Sequence, residues 1–440
     1  MRGAIIASAK GANPFCPGDR VAMSSPYTVH IATSMSEIDA AQWDACANPQ
    51  VADEVAALTA PEPEADAGTS QQTDEALPSK HEIERFNPFI THAFLKALET
   101  SRSVDPRHGW TATHVLVKDQ EGRLAAAAPA YLKTHSYGEY VFDHAWADAY
   151  HRGGLKYYPK LQIAVPFTPA TGRRLLVSDD HGDEAREKLI AGLRAWREKI
   201  EASSIHVTFP TRAEWAALGR FGFLQRTGQQ FHFINKDYGD FEGFLADLAS
   251  RKRKMIRRER KEALAPGIEI ELLTGSDIKE THWDSFFEFY MDTGNRKWGT
   301  PYLSREFFSH IGQSMPQHIL LVMAKRNGRY IAGAINFIGK DALYGRNWGA
   351  IEEHPFLHFE VCYYQAIEYA ITHGLSRVEA GAQGEHKLAR GYGAVATFSA
   401  HDIADKRYAH AIDEYLQKER AHIDEALEQY GELAPFKKGP

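Results

Sequence analysis

Polar and apolar positions alternate over residues 27–33, which predicts a strand, and 110–118, 123–133, 161–167, 204–209 and 230–235 also read as strands. Spacings of three and four over 89–100, 184–201 and 212–219 predict helices. A shorter helix is expected over 36–46, capped by Ser36, and the sheet is expected to continue over 138–145. The alternation then returns. Strands are expected over 268–273, 319–325, 329–338, 342–348 and 377–380, with a polar loop from Gly381. Helices are expected from Asp277, from Ser304, over 356–373 and over 408–430. Between the two blocks Phe241, Phe244, Leu245, Leu248, Met255, Ile256 and Leu264 make one apolar stripe. That stripe predicts a single helix over 241–265, stopped by Pro266 and Gly267. Residues 1–25 carry no period and read as a loose tail; 48–80 hold too few apolar residues to bury and read as a disordered acidic insertion.

The blocks match one another in order. Ile38 and Trp43-Asp44 recur as Ile278 and Trp283-Asp284. Pro88-Phe89-Ile90-Thr91, followed by Phe94-Leu95 and Leu98, recurs as Pro301-Tyr302-Leu303-Ser304, followed by Phe307-Phe308 and Ile311. Gly122-Arg123-Leu124 recurs as Gly328-Arg329-Tyr330. The stretch from tryptophan to proline is longer in the first block, and the surplus falls on the acidic insertion. These matches predict a tandem duplication, with one domain over 26–240 and a second over 266–440. Antiparallel strands flanked by helices indicate an α+β fold, a mixed α/β architecture, in each.

Composition sharpens only part of this picture. A chain of 440 residues, 43% apolar and 25% charged, is expected to form two ordinary globular cores. No run is long and apolar enough for a membrane span. Cys16, Cys46 and Cys362 are scattered, so no disulfide framework is implied and a cytoplasmic location is expected. A net charge of −7 argues against general coating of nucleic acid, yet Ser250 to Lys261 holds eight basic residues and one acid, Glu259. On a helix, Arg251, Lys254, Arg258 and Lys261 stack by threes and fours, as do Arg253 and Arg257. Such a face suits phosphates; a merely solvated helix surface is the plainer alternative.

Several motifs carry a family resemblance. They are Tyr157-Tyr158-Pro159-Lys160-Leu161, Pro166-Phe167-Thr168-Pro169-Ala170-Thr171-Gly172, the basic segment from Arg251 to Lys261, Gly345-Arg346-Asn347-Trp348-Gly349, Leu357-His358-Phe359-Glu360, and Glu379 with Gly381 and Gln383-Gly384-Glu385-His386-Lys387. Together they resemble the FemAB-like proteins, tandem-GNAT acyltransferases related to enzymes that build peptidoglycan cross-bridges. The resemblance runs from about Tyr27 to the C-terminus, apart from the insertion. It implies two GNAT folds joined by a basic helix, and transfer of an acyl or aminoacyl group from an activated ester or thioester to a substrate amine. The donor it implies is aminoacyl-tRNA or acyl-CoA, and no resident cofactor is certain.

Under that resemblance the segment from Gly381 to Lys387 is the candidate centre. Glu385, His386 and Lys387, with His358 and Glu360, are the catalytic candidates, because acyl transfer needs a base for the amine and a donor for the oxyanion. Lys160, Arg253, Arg257, Tyr344, Arg346, Trp348, Gln383 and Gly384 are candidates for holding substrate, with Trp298, Tyr157 and Tyr158 as further channel aromatics. Tyr344 and Trp348 are expected to share a strand face, with Arg346 on the other. Gly172, Arg173 and Arg174 are the candidate phosphate site for a cofactor. The turn from Glu352 to Leu357 lacks the glycines of a CoA-binding turn and carries two acids, which weighs against CoA. His354 and His358 have no third ligand at a recognisable spacing, so no metal is expected. Cys362 reads as core. The rival function is a non-catalytic module that recognises tRNA or a phosphate-bearing precursor through the basic helix.

Overall fold

A computed structural model of the chain describes residues 26–49, 86–297, 301–381 and 384–437, with the backbone alone at 295–297 and 385. The tail, nearly all of the acidic insertion, Trp298 and Gln383 lie outside the described residues.

The first half runs β1 (Thr28–Ala32), α1 (Ala40–Ala47), α2 (His92–Thr100), β2 (Trp110–Ala112), β3 (His114–Lys118), β4 (Leu124–Ala128) and β5 (Ala130–Lys133). It continues through α3 (His144–Arg152), β6 (Lys160–Ile163), β7 (Leu176–Val177), α4 (Gly182–Lys199), β8 (Ser204–Thr208), α5 (Arg212–Arg220) and β9 (Leu224–Ile234). Local chemistry fixes several ends. Asp39, not Ser36, caps α1 by accepting from the Gln42 N–H, while Ser36 lies in a 3-10 turn capped by Ser34. Thr91 caps α2, and Thr211 with Glu214 forms a capping box on α5. The expected strands over 110–118 and 123–133 each break in two, at Thr113 and at Pro129, which has no N–H to give a ladder. Residues 138–145 do not extend the sheet; they lead into α3, whose Asp143 cap position spends its carboxylate on Tyr157 and Lys160.

The second half begins with α6 (Phe241–Asp247) and α7 (Ser250–Leu264). The single helix expected here is broken at Leu248 and Ala249, which turn extended to pair with Phe436 and Pro435 near the C-terminus. Then follow β10 (Ile268–Thr274), α8 (Glu280–Lys297), α9 (Arg305–Ser314), β11 (Ile319–Arg326), β12 (Arg329–Ile338) and β13 (Ala342–Ala350). The expected helix over 356–373 is α10 (Leu357–Phe359), a π-helical turn at Glu360–Tyr364, and α11 (Gln365–Thr372). β14 (Arg377–Glu379), β15 (Tyr392–Ile403) and α12 (Lys406–Glu432) complete the chain. The sequence pattern does not signal β15.

β1, β3, β4 and β7 form a small sheet, and the other strands form one of eleven in the order β10-β11-β12-β13-β14-β9-β15-β8-β6-β5-β2. The halves therefore exchange strands. β9 of the first half lies between β14 and β15, and β15 of the second half lies between β9 and β8. Each half has one parallel step across a helix, β6 to β8 over α4 and β13 to β14 over α10 and α11. Elements that matched in sequence also match in place. Trp43 and Trp283 are both buried, and Gly122 and Gly328 occupy their turns at φ +79, a conformation that favours glycine. α2 packs on α9 with the rings of Phe94 and Phe307 at 5.7 Å, and Ser304 Oγ donates to the Ser101 carbonyl at 3.0 Å. One apolar core, including Phe89, Phe94, Phe307, Phe337 and Tyr344, is shared by the two halves.

Candidate active site

β13 and β14 run parallel for three register pairs, the last being Tyr344 with Glu379, and then part. Just past that point β13 carries a bulge: Asn336 faces Gly345 while Ile335 faces Asn347, so Arg346 has no partner in the ladder. Tyr344 and Arg346 both turn toward Phe89, as residues two apart on a strand do. The bulge then reverses the parity and sends Trp348 to the opposite face, against His358. The expected pairing of Tyr344 with Trp348 and away from Arg346 is thereby corrected.

On the Phe89 face, Glu379 is buried opposite His232 of β9. Its Oε1 accepts from Arg377 Nε at 2.9 Å, while Oε2 has no hydrogen-bond partner among the described residues and stands 3.9 Å from His232 Nε2. Burial pulls the pKa of His232 down to about 4, so its ring is neutral near pH 7. Gln230, beside it, donates to the Pro169 carbonyl at 2.7 Å. Arg346 donates to the Phe167 carbonyl. Two motifs far apart in sequence, 166–172 and 345–349, thus meet at this opening.

On the other face, Trp348 and His358 have ring centroids 5.3 Å apart, and His358 and Tyr363 are also 5.3 Å apart. The Tyr363 hydroxyl is 2.9 Å from His386 Nε2, and the rings of His358 and His386 lie 6.5 Å apart. Burial, with Arg390 and Lys387 nearby, lowers the pKa of His386. Gly384 sits at φ +117, where a β-carbon would come within 2.5 Å of the His386 ring. Lys387 is buried and donates to the carbonyls of Ala380 at 2.6 Å and Gly381 at 3.0 Å. Burial brings its pKa down to about 8.

A family model for FemAB-like proteins, described as peptidoglycan biosynthesis/recognition, matches residues 34–438. The chain belongs to the FemAB-like family. Among solved structures it is similar to FemX, at 13% identity and TM-score 0.45, over 72% of this chain and 93% of that one. It is similar also to L-PGS from Bacillus licheniformis, at 8% identity and TM-score 0.45, over 73% and 96%. A tandem GNAT protein from the clavulanic acid biosynthesis pathway matches at 12% identity and TM-score 0.40, over 86% and 99%. No curated protein matches the chain. The fold is of mixed α/β structure, its two halves carrying corresponding elements.

The structure of this FemAB-like chain brings His358, Trp348, His386, Lys387 and Gly384 together, and Tyr344 with Arg346 on the far side of the opening. Glu360 is turned elsewhere: fully buried, it accepts from Arg260 at 3.0 Å and from Gln365 at 2.7 Å. The side chain of Glu385 is not among those described. Lys160 does not face a ligand, because its buried ammonium donates to Ser136 at 2.8 Å, to Glu139 at 2.7 Å and to Asp143. In the first half the corresponding parallel pair ends at Ile163 and Val207, and the residues that follow bond one another. Arg174 spends its guanidinium on the carbonyls of Thr208, Ala170 and Arg173, Arg173 donates to Val177, and the Gly172 N–H bonds Phe209. Arg257 pairs with Glu242 at the surface, whereas Arg251, Lys252, Arg253, Lys254 and Lys261 have no side-chain partner among the described residues. Glu379 stands in one of the family motifs without being among the sequence-based site candidates, and His232 and Tyr363 are not singled out by the sequence at all. The signal for Glu379 is a carboxylate in a short strand that must lie inside a sheet; His232 and Tyr363 gave none.

Among the described residues no cluster of His, Cys, Asp or Glu could hold a metal ion, and no helix is long and apolar enough to cross a membrane.

Proposed function

We propose that this FemAB-like protein is an N-acyltransferase of peptidoglycan metabolism, moving an acyl or aminoacyl group from an activated ester or thioester to a substrate amine. The reading is carried by Glu379, a buried carboxylate beside the opening between β13 and β14 with one oxygen left without a hydrogen-bond partner among the described residues. The amine must be neutral to attack. Its nitrogen bonds to the acyl carbon, the donor's C–O or C–S bond breaks, and the amine proton passes to Glu379 Oε2, directly or through a water. The leaving oxygen or sulfur then takes up a proton. Arg377 fixes the other oxygen of Glu379, and neutral His232 adds no positive charge beside it. Lys387 holds the chain just after β14, next to the point where β13 and β14 part beside Glu379. His358, Tyr363 and His386 line the donor's approach from the opposite face.

The second half is the transferring half in this reading, because the first has Ile163 and Val207 where the second has Tyr344 and Glu379. A duplicated ancestor, one copy of which closed its opening with Arg174, accounts for both. The cations of α7 without partners offer a place for phosphates, and Glu352 in the turn before α10 is already engaged by Arg326 and His354. A donor with many phosphates, an aminoacyl-tRNA, suits this arrangement better than acyl-CoA.

The test is transfer from labelled aminoacyl-tRNA and acyl-CoA to a panel of amines. Glu379→Gln should lower turnover by ~10²-fold or more with donor binding unchanged. Full activity in that variant removes Glu379 as the base. Binding of tRNA by the unaltered chain with no turnover across the panel favours the binding module instead.

A further inference from the structure

We propose that the amine acceptor is an amino acid with a free carboxylate, and that Arg346 binds that carboxylate; the proposal rests on the transfer reading above. Arg346 opens into a cleft between the halves that is also lined by Tyr140, Phe167, Tyr290, Tyr302 and Asn347. It is only partly exposed, and its protein contacts are the Phe167 carbonyl, the Tyr140 hydroxyl and the face of Phe89. No carboxylate among the described residues lies within ion-pair distance of it. Other shielded arginines are satisfied inside the chain: Arg377 by Asp341 and Glu379, Arg390 by Glu259, Arg260 by Glu360 and Glu368, and Arg174 by three carbonyls. A guanidinium drawn out of water without a counter-ion is costly unless an anion arrives to pair with it. Burial also lowers its pKa, against a smaller opposing pull from Tyr140, Tyr290 and Glu379.

The size of the cleft narrows the anion. Its volume of about 20 Å³ accepts one or two water-sized groups, which suits the two oxygens of a carboxylate and is too small for a diphosphate. The planar fork of arginine matches a carboxylate with two parallel bonds. The rim is aromatic, with the Tyr302 ring stacked on Phe167 at 4.7 Å and 42% exposed, next to Tyr140 and Tyr137. These rings offer an apolar surface to the acceptor's side chain. Position fixes the amine. Arg346 lies two residues past Tyr344, the register partner of Glu379, and shares its face, so the two backbones are within roughly 8 Å from strand spacing and rise. A carboxylate on Arg346 therefore leaves an α-amine, two bonds away, directed at Glu379.

The experiment measures binding of the twenty L-amino acids, their carboxamides and inorganic diphosphate to the full chain by equilibrium dialysis. At least one amino acid should bind, with its carboxamide weaker by about tenfold or more. Arg346→Gln should abolish the preference for the acid, while Glu379→Gln keeps it. Equal binding of acid and amide, binding of no amino acid, or tighter binding of diphosphate each overturns the proposal. Should Arg346→Gln not fold, the acid–amide comparison on the unaltered chain decides alone. Acid preference together with full transfer by Glu379→Gln would sink the assignment of the base and leave this site standing.

Discussion

Lys133, Glu139, Asp143 and Lys160 bring two charges of each sign into the interior of the first half. Lys160 reaches Glu139 at 2.7 Å, and Lys133 stands 3.6 Å from the centre of the Trp110 ring. From Asp143 a hydrogen-bonded chain continues through the Tyr157 hydroxyl to His206, whose Nδ1 meets His401 Nδ1 at 2.7 Å across the boundary between the halves. The neutral rings of this chain and of His232 set a pH response. Burial lowers His206 to about 3, His232 to about 4 and His401 well down, from an ordinary 6.5. The unfolded chain binds protons there that the fold does not, so stability falls as pH drops below 6.5. Glu139 acts oppositely: burial raises it to about 7 from 4.5, so the fold gains its proton first and acid favours folding down to pH 4.5. Between 6.5 and 4.5 three protons favour the unfolded chain against one for the fold, and between 4.5 and about 4 three favour it unopposed, so the loss should steepen by about half there, at about 1.4 kcal/mol per pH unit for each proton. Urea midpoints at pH 6, 5 and 4 check this; an even slope would contradict it. Lys160 shows why a cation's role was not legible in sequence. Its charge is visible there, but the carboxylates that consume it arrive from a loop and a helix start.

The basic helix α7 is docked by the first of its two acids. Glu259 is buried, accepts from Arg390 at 2.9 and 3.1 Å and from the Tyr364 hydroxyl, and so ties α7 to the π-helical turn and to the segment after β14. Arg260, on the same side, binds Glu360 and Glu368. Replacing Glu259 by Ala should cost ~3–5 kcal/mol, because it leaves Arg390 buried without its counter-ion. Arg251→Ala, at an exposed position, should change stability by no more than about 0.5 kcal/mol. Chemical denaturation of both variants is the check, and equal stability would return Glu259 to an incidental role. The period of the helix was plain in the sequence. Its break was not, since Leu248 and Ala249 follow a good helical stripe and are drawn out of it only by the C-terminal segment. β15 was hidden for a related reason: its Thr397, Ser399 and His401 are buried polar residues, and His401 finds its partner in β8.

At the scale of the molecule, neither half owns a complete sheet. Both neighbours of β9 come from the second half, and both neighbours of β15 come from the first. Separating the chain at 240 would strip β9 of every ladder bond and leave β8 with an open edge, a template for aggregation. We expect residues 26–240 and 241–437, expressed alone, to be insoluble or unfolded. The full chain should lose the fluorescence change of its tryptophans and its helical circular dichroism in one coincident urea transition. Two separate transitions, or a stable isolated half, would contradict the shared sheet.

The sequence by itself determined most elements, the paired order of the two blocks and the family, since period and motif are local properties. Tertiary structure alone decided the strand exchange, because β9 and β15 choose partners more than a hundred residues away. It also decided which charges are spent and which face an opening. Lys160, Arg174 and Glu360 are consumed by counter-ions or carbonyls supplied from elsewhere in the fold. Arg346 and Glu379 are set beside the opening by a one-residue bulge and a three-residue strand, features too small to leave a period in the chain.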